Sequence, residues 1–135
     1  MLLKKKISLS IMIVVYLAAG INHFINPAFY KSIMPPWLPY HNALIFISGL
    51  AEILLAILLI PKSTRRMAAW GIILLLVAVF PANIYMAIRY FQENNPLLVM
   101  AIVRLPLQLL LIAWAYSFSH KLEIKHRYNT YITNY

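Results

Sequence analysis

Two charged residues stand inside long apolar stretches of this sequence: Glu52 in GLAEILLA and Arg104 in IVRLPL. A charge at such a position costs free energy in hydrocarbon and marks an ion, proton or ligand site, or a pair that locks helices together. Asn83 adds an uncharged polar group in a third apolar stretch and Gln108 one in the stretch of Arg104, and Asn22 and His23 close another. Histidine changes charge near neutral pH, so His23 offers a proton carrier, a metal or haem ligand, or a hydrogen bond to a nearby loop. A b-type haem needs two facing histidines, and His41 is the one candidate partner at the same level; nothing else specifies such a site. No spacing of an established zinc site, nucleotide loop or Ser–His–Asp arrangement is visible, so no metal ligand and no catalytic residue is assigned. The chain has no cysteine, which excludes disulfides, thiolate catalysis and CxxC relays.

The elements that must position these groups are read from length and composition. Of 135 residues, 63% are hydrophobic and 11% charged, which excludes an ordinary soluble domain and a disordered chain. Four apolar runs, about 7–25, 43–60, 67–88 and 97–118, are long enough to cross a bilayer. They are too long for barrel strands and lack alternation, so the expected fold is an all-α membrane protein, a four-helix transmembrane bundle. Residues 1–118 form its single domain and 119–135 a basic tail containing Tyr128, Tyr131 and Tyr135.

Twelve Lys and Arg against three Asp and Glu leave a net charge of +9. The basic residues flank apolar runs, which speaks for a membrane and against nucleic acid. Lys4–Lys6, then Lys62, Arg65 and Arg66, then Lys121, Lys125 and Arg127 fall on one side, with only Lys31 and Arg89 on the other. The positive-inside rule then places both termini in the cytoplasm, and the inner membrane is the expected location. Lys4–Lys6 before an apolar core also resembles a signal peptide. Ala18-Ala19-Gly20 is a loose cleavage match, however, and an uncleaved first helix completes an even-numbered bundle.

Depth counting at 1.5 Å per residue puts Asn22 and His23 ~3–5 Å from the outer ends, Asn83 ~8 Å, Arg104 ~10 Å, Glu52 ~14 Å and Gln108 ~17 Å. All lie in the outer half or near the midplane, so four helices contribute to one polar layer. Arg104 and Gln108 share a helix face, as do Ser48, Glu52 and Ala56 with Gly49 beside them, and Tyr16, Gly20 and His23. Small residues in these stripes let helices approach closely. An ion pair between Glu52 and Arg104 is expected. Asn83 holds a ligand or bonds to a neighbouring helix. Pro81 and Pro106 free the carbonyls of Val77 and Ile102, which must be buried in protein or face a polar cavity. Above this layer the loop NPAFYKSIMPPWLPYHN lies along the outer interface or folds onto the bundle, with Trp37 as an interface anchor or a lid.

These same residues carry a resemblance. AGINHFINPAFY (18–30), IMPPWLPY (33–40), ISGLAEILLAILLIP (47–61), RRMAAWG (65–71), VFPANIYMA (79–87) and RLPLQLLLIAWAY (104–116) together resemble the DoxX-like family of small four-helix membrane proteins. By resemblance, His23, Pro36, Glu52, Asn83, Arg104 and Gln108 occupy that family's characteristic polar and proline positions. The wider group includes a subunit of thiosulfate:quinone oxidoreductase and a maturation factor for methylamine dehydrogenase, which implies a redox-linked role with quinone as a recurring theme.

The resulting expectation is a membrane subunit, not catalytic on its own, that holds a quinone or similar lipophilic molecule in an outer-half polar cavity. Glu52, Arg104, His23, Asn83 and Gln108 would line it, and a redox protein partner would supply electrons. The alternatives are a non-enzymatic scaffold or assembly factor, and lipid or solute movement by an oligomer.

Overall fold

Inside a bilayer no water satisfies the backbone, and the apolar runs form helices. The computed structural model describes residues 1–120. The tail expected from 119 lies outside the described residues from 121 onward, as do Lys121, Lys125 and Arg127. The described residues are all helical: α1 (Leu3–Ile25), α2 (Pro27–Ile33), α3 (His41–Leu58), α4 (Arg65–Gln92) and α5 (Leu98–Tyr116). Every end of the four expected spans falls within four residues of its observed position. All four long helices are long and apolar enough to cross a membrane.

The loop between α1 and α3 is more structured than a chain lying along an interface. Seven of its residues form α2, with Pro27 at the first helical position, where its fixed φ suits a helix start. The helix stops ahead of Pro35 and Pro36, because the residue before a proline avoids the α region. Tyr40, at φ 57°, turns the chain into α3. Arg89, expected in a connection, instead lies in the last turn of α4. There it pairs with Glu93 at 2.9 Å and donates to the Ser32 carbonyl, tying α2 to the bundle.

The long helices run up and down and pack as two close pairs. In the first pair, α1 and α3 cross at Gly20 and Gly49. A Cβ at Gly20 would stand 2.7 Å from the Gly49 carbonyl oxygen, and one at Gly49 would stand 2.6 Å from the His23 Cβ. Only glycine fits there. In the second pair, Ala101 of α5 packs with Met86, Ala87 and Tyr90 of α4 and with Ile33 of α2. The turn between the pairs is closed by side chains: Thr64 Oγ1 donates to the Leu58 carbonyl, and Arg65 donates to those of Leu59 and Ile60. Leu58 ends α3 and Leu59 and Ile60 follow it, so these donors meet carbonyls at the negative end of the helix dipole that lack helical donors.

Near this turn, Met12, Ala56, Leu59, Ala68, Ala69, Ile72 and Ala115 form the apolar heart of the bundle, each fully buried. Across it, the indole of Trp114 on α5 donates to Ser8 Oγ on α1 at 2.8 Å. The polar residues singled out above sit between this cluster and the smaller one beside α2. Within the chain, only 17–22% of each long helix's apolar stretch is buried. The remaining apolar surface is far larger than a soluble monomer exposes and requires a bilayer.

Candidate functional site

The glycine crossing brings the first two polar residues together. With no side chain between α1 and α3, His23 lies against α3, and its Nε2 stands 3.4 Å from Glu52 Oε2. Both side chains are largely covered, at 11% and 16% exposure. This corrects the expected partner: Glu52 pairs with His23, and Arg104 forms no ion pair among the described residues. Depth counting places residues on a common level but does not say which helices are neighbours. Glu52 belongs to the α1–α3 pair, and Arg104 lies on α5.

The opposite side of the imidazole is also held. Nδ1 lies 3.2 Å from the Ile45 carbonyl oxygen. A carbonyl only accepts, so this bond assigns the hydrogen to Nδ1 and turns Nε2 toward the carboxylate. In the neutral imidazole Nε2 is an acceptor. Facing an ionised Glu52 it would put two acceptors together, and one added proton on either group removes the conflict. Glu52 Oε2 is buried and has no hydrogen-bond partner, and the same holds for the hydroxyl of Tyr16, one helix stripe below on α1.

A lid covers the pair, and it is not Trp37. That indole is 70% exposed, in keeping with the anchor reading. The ring of Tyr30, from α2, stacks on His23 with centroids 3.8 Å apart and an interplanar angle of 21°. Asn22 Nδ2 donates to the Tyr30 hydroxyl at 2.7 Å, and Asn26 Nδ2 donates to Asn22 Oδ1 at 2.7 Å. Tyr30 was missed because its loop reads as proline-rich and irregular. The available signal was its spacing: with Pro27 starting a helix, Tyr30 falls one turn in, directly over the end of α1.

The other polar residues form a separate group. Asn83 Nδ2 of α4 donates to Gln108 Oε1 of α5 at 2.7 Å, and Gln108 Nε2 donates to the Leu76 carbonyl. That carbonyl is one residue before Val77, the one freed by Pro81. Pro81 and Pro106 themselves point outward. The expected single layer is therefore two groups: an ionisable pair between α1 and α3, and a satisfied amide relay between α4 and α5. His41 Nε2 bonds to the Pro35 carbonyl at 3.0 Å, so both histidines near this end are committed to protein partners. Among the described residues no group of three or more His, Asp or Glu could hold a metal ion.

The class is thus a small multi-pass helical membrane protein with a largely covered histidine–carboxylate pair and an aromatic ring stacked on the histidine. The chain belongs to the family described as a domain of unknown function (DUF8561), which matches residues 12–119. No curated protein and no solved structure matches it.

Proposed function

We propose that this chain is a DoxX-like membrane subunit of a redox system, which binds the polar head of a quinone or a similar lipophilic molecule at His23 and Glu52. One observation carries the reading: a buried carboxylate oxygen without a hydrogen-bond partner, facing an imidazole nitrogen whose tautomer is set from behind. Reduction of a quinone consumes protons as well as electrons. In this reading the pair hands one proton to one carbonyl oxygen, water supplies the second proton to the other carbonyl oxygen, and a redox protein partner delivers the two electrons. Tyr30 shields the pair from water, and Asn22 orients Tyr30. Asn83 and Gln108 hold α4 to α5, and Arg104 lies outside this site. The distribution of Lys and Arg supports a cytoplasmic-membrane protein with both termini inside.

The test is mild purification followed by mass spectrometry and ultraviolet absorption of the extracted small molecules. An enriched quinone, lost from a folded Glu52→Gln variant, is the expected result. Bulk lipid alone, with a protein co-purifying at fixed ratio, overturns it in favour of a non-enzymatic scaffold. The exposed ring of Tyr40, at 82%, beside Trp37 favours that second reading, because together they offer aromatic surface at the α2 end.

A further inference from the structure

Among the described residues, Arg104 is a cation without a counter-ion. The chain holds three carboxylate side chains. Glu52 is engaged by His23 and Glu93 by Arg89. The third, Glu123, lies outside the described residues. A guanidinium within a span and without an anion is costly, and such residues pair with whatever anion the site admits.

Its position shows where that anion comes from. On α5, Ala101 and Gln108 turn to α4. Arg104 lies on the flank of that face, seven residues before Leu111, which packs against the cluster that holds Leu9, Met12 and Tyr16 of α1. Lys5 of α1 sits 5.7 Å from the ring centroid of Phe118, two residues past the end of α5, so α1 and α5 are neighbours on this flank. No Cα of α1 lies within 8 Å of one in α5, a wider spacing than in the two close pairs. Trp114 and Ser8 bridge the gap at the end away from α2. Beside Arg104 the groove has no such bridge. Arg104 is six residues inside α5, ~9 Å from its start. Helical side chains lean toward the N-terminus, so the guanidinium reaches back toward the headgroup level at the α2 end.

We propose that the groove between α1 and α5 binds one anionic phospholipid of the leaflet at the α2 end. Its phosphate sits on Arg104 and an acyl chain lies along the apolar groove below. A planar guanidinium pairs with phosphate oxygens through two parallel bonds, and a net negative headgroup supplies the charge that no described residue offers it.

Native mass spectrometry of the full chain in mild detergent tests this, titrating dioleoylphosphatidylglycerol against dioleoylphosphatidylcholine. One phosphatidylglycerol per chain is expected, held about tenfold more tightly than phosphatidylcholine. Arg104→Gln should lower its affinity to the phosphatidylcholine level, whereas Lys31→Gln and Arg89→Gln, at the same end, should not. Unchanged retention by Arg104→Gln, or equal retention of the two lipids by the wild type, overturns the proposal. Displacement of the lipid by inorganic phosphate also overturns it, by making the ligand a free anion. Should Arg104→Gln fail to fold, the wild-type lipid preference and partial retention by Arg104→Lys decide. Quinone content does not enter this readout, so failure of one site leaves the other standing.

Discussion

His23 has both ring nitrogens and one ring face committed: Nδ1 to Ile45, Nε2 to Glu52, and the face to Tyr30. Removing either member of the pair leaves the other buried without its partner. A double-mutant cycle of His23→Ala and Glu52→Ala should therefore show a coupling of about 1–3 kcal/mol, read from unfolding in detergent micelles. The cycle of Arg104→Ala with Glu52→Ala should be additive within about 0.5 kcal/mol, because the two side chains form no ion pair. The contrast shows what was legible at this scale. Residue type and depth singled out His23, Glu52, Asn83, Arg104 and Gln108, because a polar side chain inside an apolar run is conspicuous. Their partners were not legible, since rise along a helix says nothing about the angle at which a neighbour approaches. Tyr30 was hidden for a different reason. An aromatic residue in a loop has no periodicity to reveal the face it covers.

At the scale of elements, the three glycines are not equivalent. Added methyl groups at Gly20 or Gly49 meet backbone oxygen or the root of His23, neither of which yields cheaply. Gly20→Ala and Gly49→Ala should each destabilise the bundle by about 1–3 kcal/mol. Gly49→Ala should also weaken retention of whatever His23 and Glu52 bind. A Cβ at Gly71 meets the end of the Leu55 side chain at 2.5 Å, and Leu55 can move. Gly71→Ala should be neutral or gain up to about 1 kcal/mol from helix propensity. Thermal unfolding of the three variants side by side checks this order. In the amide relay, Gln108→Leu strands the Asn83 amide and removes the second donor of the Leu76 carbonyl, and a cost of about 1 kcal/mol is expected. The small-residue stripe of α3 was readable from spacing alone. The helix α2 was not, because seven residues do not sustain a helix on their own propensity. Contacts outside the helix, with His23 of the preceding helix and with Arg89 far along the chain, hold it in place.

For the molecule as a whole, hydropathy was sufficient to count the spans, since an apolar run of this length has one stable form in lipid. The order of helices around the bundle and the wide spacing of α1 from α5 were not readable, because the lipid-facing and protein-facing surfaces are equally apolar. Orientation is open to direct measurement, and the absence of cysteine makes every introduced thiol the only one. On intact cells, Asn94→Cys should react with a membrane-impermeant maleimide, and Ser63→Cys should react only after lysis. The reverse pattern would invert the topology.

The stapled turn at 61–64 has a mechanical consequence. Two stiff helix pairs joined at one end form a lever pivoted on the bonds from Thr64 and Arg65. The eighteen residues of α3 give that lever an arm of about 27 Å. A swing of about 5° at the pivot would part the far ends by about 2 Å, which is small beside the helix spacing but large beside a hydrogen bond. At the far end the pairs are tied through α2 alone, by the bond from Arg89 to the Ser32 carbonyl, two residues from Tyr30, and by the packing of Ile33 against Met86, Ala87 and Tyr90. The moving tip of the lever is thus the part of the molecule that carries the ring over His23.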